Sequence, residues 1–314
     1  MRISRIVAVA VFLTLLSLAA PSIEGSVVYV PPVESIYDVT YARFGDSELQ
    51  LDIAWPTEGG PYPVLVYFHG GGWGIGDKSM FRHRMRMIAR SGYVVFNANY
   101  RLSTEARFPA AVNDAMGAVI FAKDKAPAYN GDPDRVAVMG DSAGAQLAAM
   151  VATAWDDPYF DPSYSGNNGH NAQVRAAALM YGLYRLEHLI EEDPRIWGVV
   201  VTRPMVLAFM GGTPRTKPKA YEKASVSHYL DKDNLPPLFI MCGTADSVFP
   251  ESEWLHKELE KRKARHTAFF VTGAEHEFNY LENRNDFPYL HAVLTFLDRE
   301  LKRDGTSPRA GVPE

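Results

Sequence analysis

Short apolar runs separated by polar, glycine-bearing turns recur along this chain, with longer helix-like stretches between them. Val64-Leu65-Val66-Tyr67-Phe68 and Leu238-Phe239-Ile240-Met241-Cys242 read as buried strands. Val94-Val95-Phe96-Asn97, Arg135-Val136-Ala137-Val138-Met139, Val174 to Tyr181 and Thr267-Ala268-Phe269-Phe270-Val271 add four more strands. Ahead of them, Tyr37-Asp38-Val39-Thr40-Tyr41 and Leu49-Gln50-Leu51-Asp52-Ile53 are strand-like, and Arg43 to Gln50 predicts a hairpin between the two. Helices are predicted over Met80 to Ser91, over Ala110 to Asp124 after Pro109, over Ala145 to Ala154, over the charged stretch Trp254 to Arg265, and around His291. This alternation predicts an α/β architecture, a mostly parallel sheet with helices on both faces. A long connection from near Tyr181 to Leu238 carries Ile196, Trp197, Val199, Val200, Met205, Phe209 and Met210. It fits either a helix pair packed on the core or a small cap-like insertion, about residues 183–235.

Composition bounds this picture. The chain has 314 residues, 47% apolar and 22% charged, an ordinary globular profile in which a core needs no metal or disulfide to hold it. One domain is expected over residues 26–304, followed by a flexible tail at 305–314. The net charge of −5 gives no electrostatic case for nucleic acid or an anionic membrane. No Cys/His cluster has metal-ligand spacing, so neither a metal nor another cofactor is expected. The single cysteine, Cys242, cannot form an internal disulfide and reads as a small core residue. At the N-terminus, Arg2 and Arg5 precede the apolar run Ile6 to Leu18, and Ser17-Leu18-Ala19 offers small residues for cleavage near Ala19. A signal peptide at 1–19 and export to the periplasm or medium are expected. The run is short for a membrane span, so no stable anchor is expected.

The chemistry starts at Gly140-Asp141-Ser142-Ala143-Gly144. Lying between a strand-like run and an Ala-rich helix, this G-x-S-x-G has the strand-to-helix setting of a nucleophile elbow. Alone, it fits equally well a tight turn with a capping serine. Ser142 precedes a helix N-terminus, whose free N–H groups and partial positive charge suit a developing oxyanion. Upstream, His69-Gly70-Gly71-Gly72-Trp73 follows a strand, and its glycines allow backbone N–H groups to approach a substrate oxygen. Gly71, Gly72 and Ala143 are the candidate donors; a Gly-rich surface loop is the plainer alternative. His69, inside that loop, is badly placed as a base and reads as its orienting group.

A serine nucleophile needs a base, and the base an orienting carboxylate. Asp246 stands just past the strand ending at Cys242, and His276 follows the strand ending at Val271. Groups behind strand ends of an open sheet can meet at one edge. Asp246 also fits a turn or the cap of a helix near Pro250, and His276 a surface histidine between Glu275 and Glu277. His83, His256, His266 and His291 fit the base role less well, since they fall on or beside helices. Trp73, next to the loop, and Trp155, followed by Tyr159 and Phe160, are candidate substrate walls. An aromatic cleft suits an aryl or sugar ester and equally a short acyl chain.

On these motifs, together with Gly76-Asp77-Lys78, Asn99-Tyr100-Arg101-Leu102 and Gly243-Thr244-Ala245-Asp246, the chain resembles the α/β-hydrolase superfamily from about Tyr37 to Arg303. More narrowly it is similar to carboxylesterases with an H-G-G-G-W loop, the hormone-sensitive-lipase-like and bacterial feruloyl-esterase-like hydrolases. The resemblance implies an eight-stranded sheet, a catalytic triad of Ser142, Asp246 and His276, and an oxyanion hole from the 69–72 loop plus Ala143. It implies action on a small-molecule or polysaccharide-linked ester. Asp77 and Arg101 are expected to hold loops rather than react. Strand-like runs begin so soon after the leader that no N-terminal cap is expected, which favours the feruloyl-esterase-like branch. A peptidase or amidase with the same triad, or a non-catalytic binding module on this fold, are the rival readings.

Overall fold

The apolar runs become neighbouring strands of one sheet. The computed structural model describes residues 30–302 apart from 46, 165, 167, 193–194, 197–198, 201 and 279–286. In chain order the strands are β1 (Val33–Phe44), β2 (Ser47–Pro56), β3 (Tyr62–Phe68), β4 (Val94–Ala98), β5 (Gly131–Asp141), β6 (Ala176–Met180), β7 (Arg195–Ile196), β8 (Val199–Val200), β9 (Leu238–Gly243) and β10 (His266–Val271). Eight of them pair in the order β1-β2-β4-β3-β5-β6-β9-β10, while β7 and β8 form a small separate pair. Within the eight-stranded sheet β1, β2 and β4 pair antiparallel and every other pairing is parallel. Every residue of β4, β6 and β9 is buried. Parallel strands covered on both faces lose polar alternation, which is why these runs stand out as unbroken apolar segments.

The helices are α1 (Arg82–Arg90), α2 (Ala110–Lys125), α3 (Ala143–Ala154), α4 (Leu186–Glu192), α5 (Thr202–Met210), α6 (Pro218–Ala224), α7 (Phe249–Lys261) and α8 (Phe287–Leu301). Several boundaries differ from expectation. A 3-10 turn at Lys78–Phe81 precedes α1, because Asp77 caps Ser79 and closes the chain early. β5 begins four residues before Arg135. α7 starts at Phe249 and carries Pro250 in its first turn, where proline's missing N–H costs nothing. It ends at Lys261, just before Lys263, which adopts φ 56°. β1 is longer than expected and shifts register twice against β2; Asp38, at φ 61°, lies in the first irregularity.

Within the connection from β6 to β9, α5 packs on the core, as one of the two expected readings has it. Val206, Phe209 and Met210 of α5 are buried in the core, while Met205 lies against the glycine loop described below. Trp197 lies outside the described residues, as do the expected signal peptide at 1–19 and the expected tail at 305–314. Among the described residues no helix is long and apolar enough to cross a membrane. The C-terminal ends of β3, β5, β9 and β10 share one edge of the sheet, and the loops leaving them carry the candidate residues.

Candidate active site

The chain leaves β5 through a turn so tight that it fixes residue types. A Cβ on Gly144 would lie 2.1 Å from the carbonyl oxygen of Phe68, and one on Gly140 would lie 2.2 Å from that of Gly144. Both glycines are therefore required by close backbone approach. Between them Ser142 adopts φ 51°, ψ −116°, a conformation that costs a non-glycine residue about 1–3 kcal/mol. Its N–H donates to the Met180 carbonyl at 2.9 Å, and its carbonyl accepts from Ala145 and Gln146. Strand pairing on one side and the first turn of α3 on the other hold the strained residue in place.

His276 and Asp246 meet Ser142 at this edge. His276 Nε2 lies 3.1 Å from Ser142 Oγ, and His276 Nδ1 lies 2.7 Å from Asp246 Oδ2. Asp246 Oδ1 accepts the Val248 N–H at 2.9 Å. With Nδ1–H donated to the carboxylate, Nε2 faces the hydroxyl as an acceptor. That arrangement can take a proton from serine. The three side chains, 134 and 30 residues apart along the chain, are each at most 5% exposed. The loops bearing them are tied together: Ala245 N–H donates to the Ala274 carbonyl at 3.0 Å, and Gly273 N–H to Thr244 Oγ1 at 2.9 Å. The Tyr181 ring sets its edge to the His276 ring at 4.9 Å. Sequence reasoning missed Tyr181, because it looks like one more apolar residue at the end of β6.

The glycine loop after β3 folds against the elbow. A Cβ on Gly70 would lie 3.4 Å from Ser142 Cβ. Gly71 and Gly72 take φ 114° and 59°, and among the described residues neither N–H donates to a backbone carbonyl. Ala143 opens α3, where the first N–H groups have no partner within the helix. The loop is anchored from within and below. Gly74 and Ile75 N–H both reach the Gly71 carbonyl at 3.1 Å. His69 Nδ1 lies 2.7 Å from the Gly70 carbonyl, its ring stacks on Tyr100, and the Tyr100 hydroxyl donates to the His69 carbonyl. Burial lowers the His69 pKa, in keeping with a neutral ring that orients the loop. Burial pushes the Asp77 carboxyl up, but bonds from Ser79 and Asn99 outweigh that and bring it down to about 2. Arg101 holds Asp114 with Nε and Nη2.

The two tryptophans expected as substrate walls lie in different surroundings. Trp73 is 1% exposed; its ring stacks on Phe209 at 4.6 Å and its Nε1–H donates to Gln146 Oε1 at 3.1 Å. It supports the loop from beneath, since φ 58° at Trp73 turns the side chain into the core. Trp155 follows the last residue of α3, a 12-residue helix and thus about 18 Å long. It stands at the opposite end of the helix from Ser142. The nearer neighbour is Met205, whose Sδ would lie 2.2 Å from a Cβ on Gly72.

Asp141 is an unforeseen feature. Fully within the protein, it accepts a bond from the Tyr67 hydroxyl. Burial pushes its carboxyl up to about 7; the Tyr67 bond opposes that rise and the Glu277 charge adds to it.

Comparison with known proteins places this geometry in context. The BD-FAE family model matches residues 51–259. Esterase LipC of Mycobacterium tuberculosis is 26% identical over 266 residues, covering 82% of this chain and 64% of that protein. Acetyl esterase of Salmonella dublin is 28% identical over 249 residues, covering 75% of this chain and 70% of that protein. The chain spans about half the length of two other mycobacterial relatives, LipM and LipQ. Among solved structures, Esterase B from Lactobacillus rhamnosis superposes with a TM-score of 0.73 at 21% identity, covering 87% of this chain and 88% of that one. The α/β-hydrolase fold implied by the sequence motifs is the fold of this chain.

Proposed function

Since the chain belongs to the BD-FAE family, we propose that it is a serine carboxylic ester hydrolase. Ser142 attacks the ester carbonyl while His276 takes its proton, and Asp246 holds the imidazole and stabilises its cationic form. Backbone N–H groups of Gly71, Gly72 and Ala143 receive the tetrahedral oxyanion. The alcohol leaves with the proton from His276, and water then releases the acyl group by the reverse use of the same groups. The observation that carries this reading is the unbroken hydrogen-bonded line from Asp246 Oδ2 through the imidazole to Ser142 Oγ. Relatives named as esterases and an acetyl esterase support an ester substrate. Met205 lying against Gly72 supports a short acyl group, since it fills space beside the oxyanion donors. Export after cleavage near Ala19 belongs to the same proposal, supported by the basic and apolar pattern of residues 2–18.

The test is hydrolysis of p-nitrophenyl acetate and butyrate by the purified chain and by Ser142→Ala, with a fluorophosphonate probe alongside. The variant is expected to lose about 10⁴-fold or more in kcat and all labelling. Wild-type-like turnover in Ser142→Ala would overturn the assignment. Matched anilides should turn over far more slowly than the esters; equal rates would move the protein to the amidases.

A further inference from the structure

Asp246 is also held from a side that the reaction does not use. Cys242, fully buried in β9, places Sγ 3.6 Å from Asp246 Oδ2, the oxygen that faces His276 Nδ1. Burial and the neighbouring Asp246 charge push the thiol's pKa up, so the sulfur carries its proton and donates. Behind it stand two more polar groups, the hydroxyls of Ser252 on α7 and of Tyr184, both in fully buried residues. Neither finds a partner at full hydrogen-bond geometry among the described residues, yet Ser252 is close enough to lower the proton affinity of both Cys242 and Tyr184. Their placement is enforced. Glu251, next to Ser252, accepts the N–H groups of Tyr184 and Arg185 at 3.1 and 2.8 Å, which delivers the Tyr184 ring to this spot.

We propose that Cys242, backed by Ser252 and Tyr184, is a positioning residue for Asp246: its S–H fixes the carboxylate's rotation while drawing little charge from Oδ2. Val248 N–H occupies Oδ1, so the thiol completes the set of donors. A thiol is a weak donor, and a weak donor leaves Oδ2 a strong acceptor for His276. With the donor removed, the carboxylate both swings more freely and presents more charge to the ring. The protonated imidazole is then favoured, and the base becomes available only at higher pH.

The inference rests on the serine-hydrolase reading, and the experiment separates the two. The full chain, Cys242→Ala, Cys242→Ser, Ser252→Ala and Ser142→Ala are assayed with p-nitrophenyl acetate from about pH 5 to about pH 9. Cys242→Ala is expected to lower kcat about 3- to 10-fold. KM should stay unchanged, and the acid limb of kcat/KM should move up by about 0.3–0.5 pH unit. Cys242→Ser restores a donor, and a stronger one than the thiol, so kcat should recover and the limb should return to or below its wild-type position. Ser252→Ala should move the limb the same way by a smaller amount, which keeps the test alive if Cys242→Ala does not fold. Turnover that depends on Ser142, with an unmoved acid limb in the Cys242 and Ser252 variants, overturns the positioning role alone. Turnover independent of Ser142 overturns the underlying reading instead.

Discussion

Ser142 shows how a single residue is held in a strained conformation by its surroundings. A positive φ at a non-glycine residue is tolerated only where neighbours over-determine it, and here the Met180 bond and the α3 turn do so. Asp246 depends on geometry in a different way. Asp246→Asn keeps its volume but presents an amide to His276 Nδ1, favouring the wrong tautomer. Activity on p-nitrophenyl acetate is expected to fall about 10⁴-fold, while the thermal midpoint stays near wild type; a mild kinetic effect would mean that another carboxylate orients the ring. Asp141 makes a prediction about stability. Its carboxyl titrates at about 7 in the fold against an ordinary 3.8. Between those values the folded state keeps a proton that the unfolded chain has lost. Its contribution is complete below about pH 4 and disappears as pH rises through about 7. Asp141→Asn, which still accepts from Tyr67, should therefore flatten the fall in calorimetric Tm across that window. An unchanged slope would show that the proton is held elsewhere.

Helix α5 is the element that turns a glycine loop into a defined site. The loop has few side chains of its own, so its shape comes from what packs on it. Phe209 stacks under Trp73, and the Phe108 N–H donates to the Phe209 carbonyl at 2.9 Å. Gln146 on α3 accepts from Trp73 and donates to the Ala224 carbonyl, so the glycine loop, α3 and α6 lock together. Phe209→Ala should cost about 3–5 kcal/mol of stability in urea denaturation, and should lower ester turnover beyond any change in folded fraction. A stable variant with normal turnover would show that the loop keeps its form without α5. The elbow glycines and the H-G-G-G-W run were legible in the sequence because backbone crowding dictates them locally. The role of α5 was not, since its apolar residues serve core and site together, and periodicity does not say which neighbour a face meets.

Across the molecule, the antiparallel flank is fastened to the catalytic edge by a buried ion cluster. Asp52 on β2 is fully buried and accepts from Lys78 Nζ at 3.0 Å and Arg82 Nε at 2.7 Å; Asp38 adds a second carboxylate. The Lys78 N–H donates to Asn99 Oδ1, and the Asn99 amide reaches Asp77, so β1, β2 and the segment following the glycine loop move as one. Removing Asp52 takes the buried carboxylate from Lys78 and Arg82 and leaves them only the exposed Asp38. Asp52→Ala is thus expected to lower Tm sharply in differential scanning calorimetry; a shift of under about 1 °C would show that Asp38 alone suffices.

The chain order of the eight sheet strands, the elbow, the glycine loop and the Ser–Asp–His succession were readable from the residues alone, whereas β7, β8 and the separate helices α4 to α6 were not. Each of the readable features is dictated by local physics: apolar runs mark strands covered on both faces, and glycine marks crowded backbone. Folding settled what depends on direction and distance between remote segments. It turned Trp73 into the core, carried Trp155 to the far end of α3, and brought the Tyr181 ring against His276. It also aimed the Cys242 thiol at Asp246. Which way a side chain points, and what it meets there, follows from packing between elements far apart in the chain, and no local pattern carries that information.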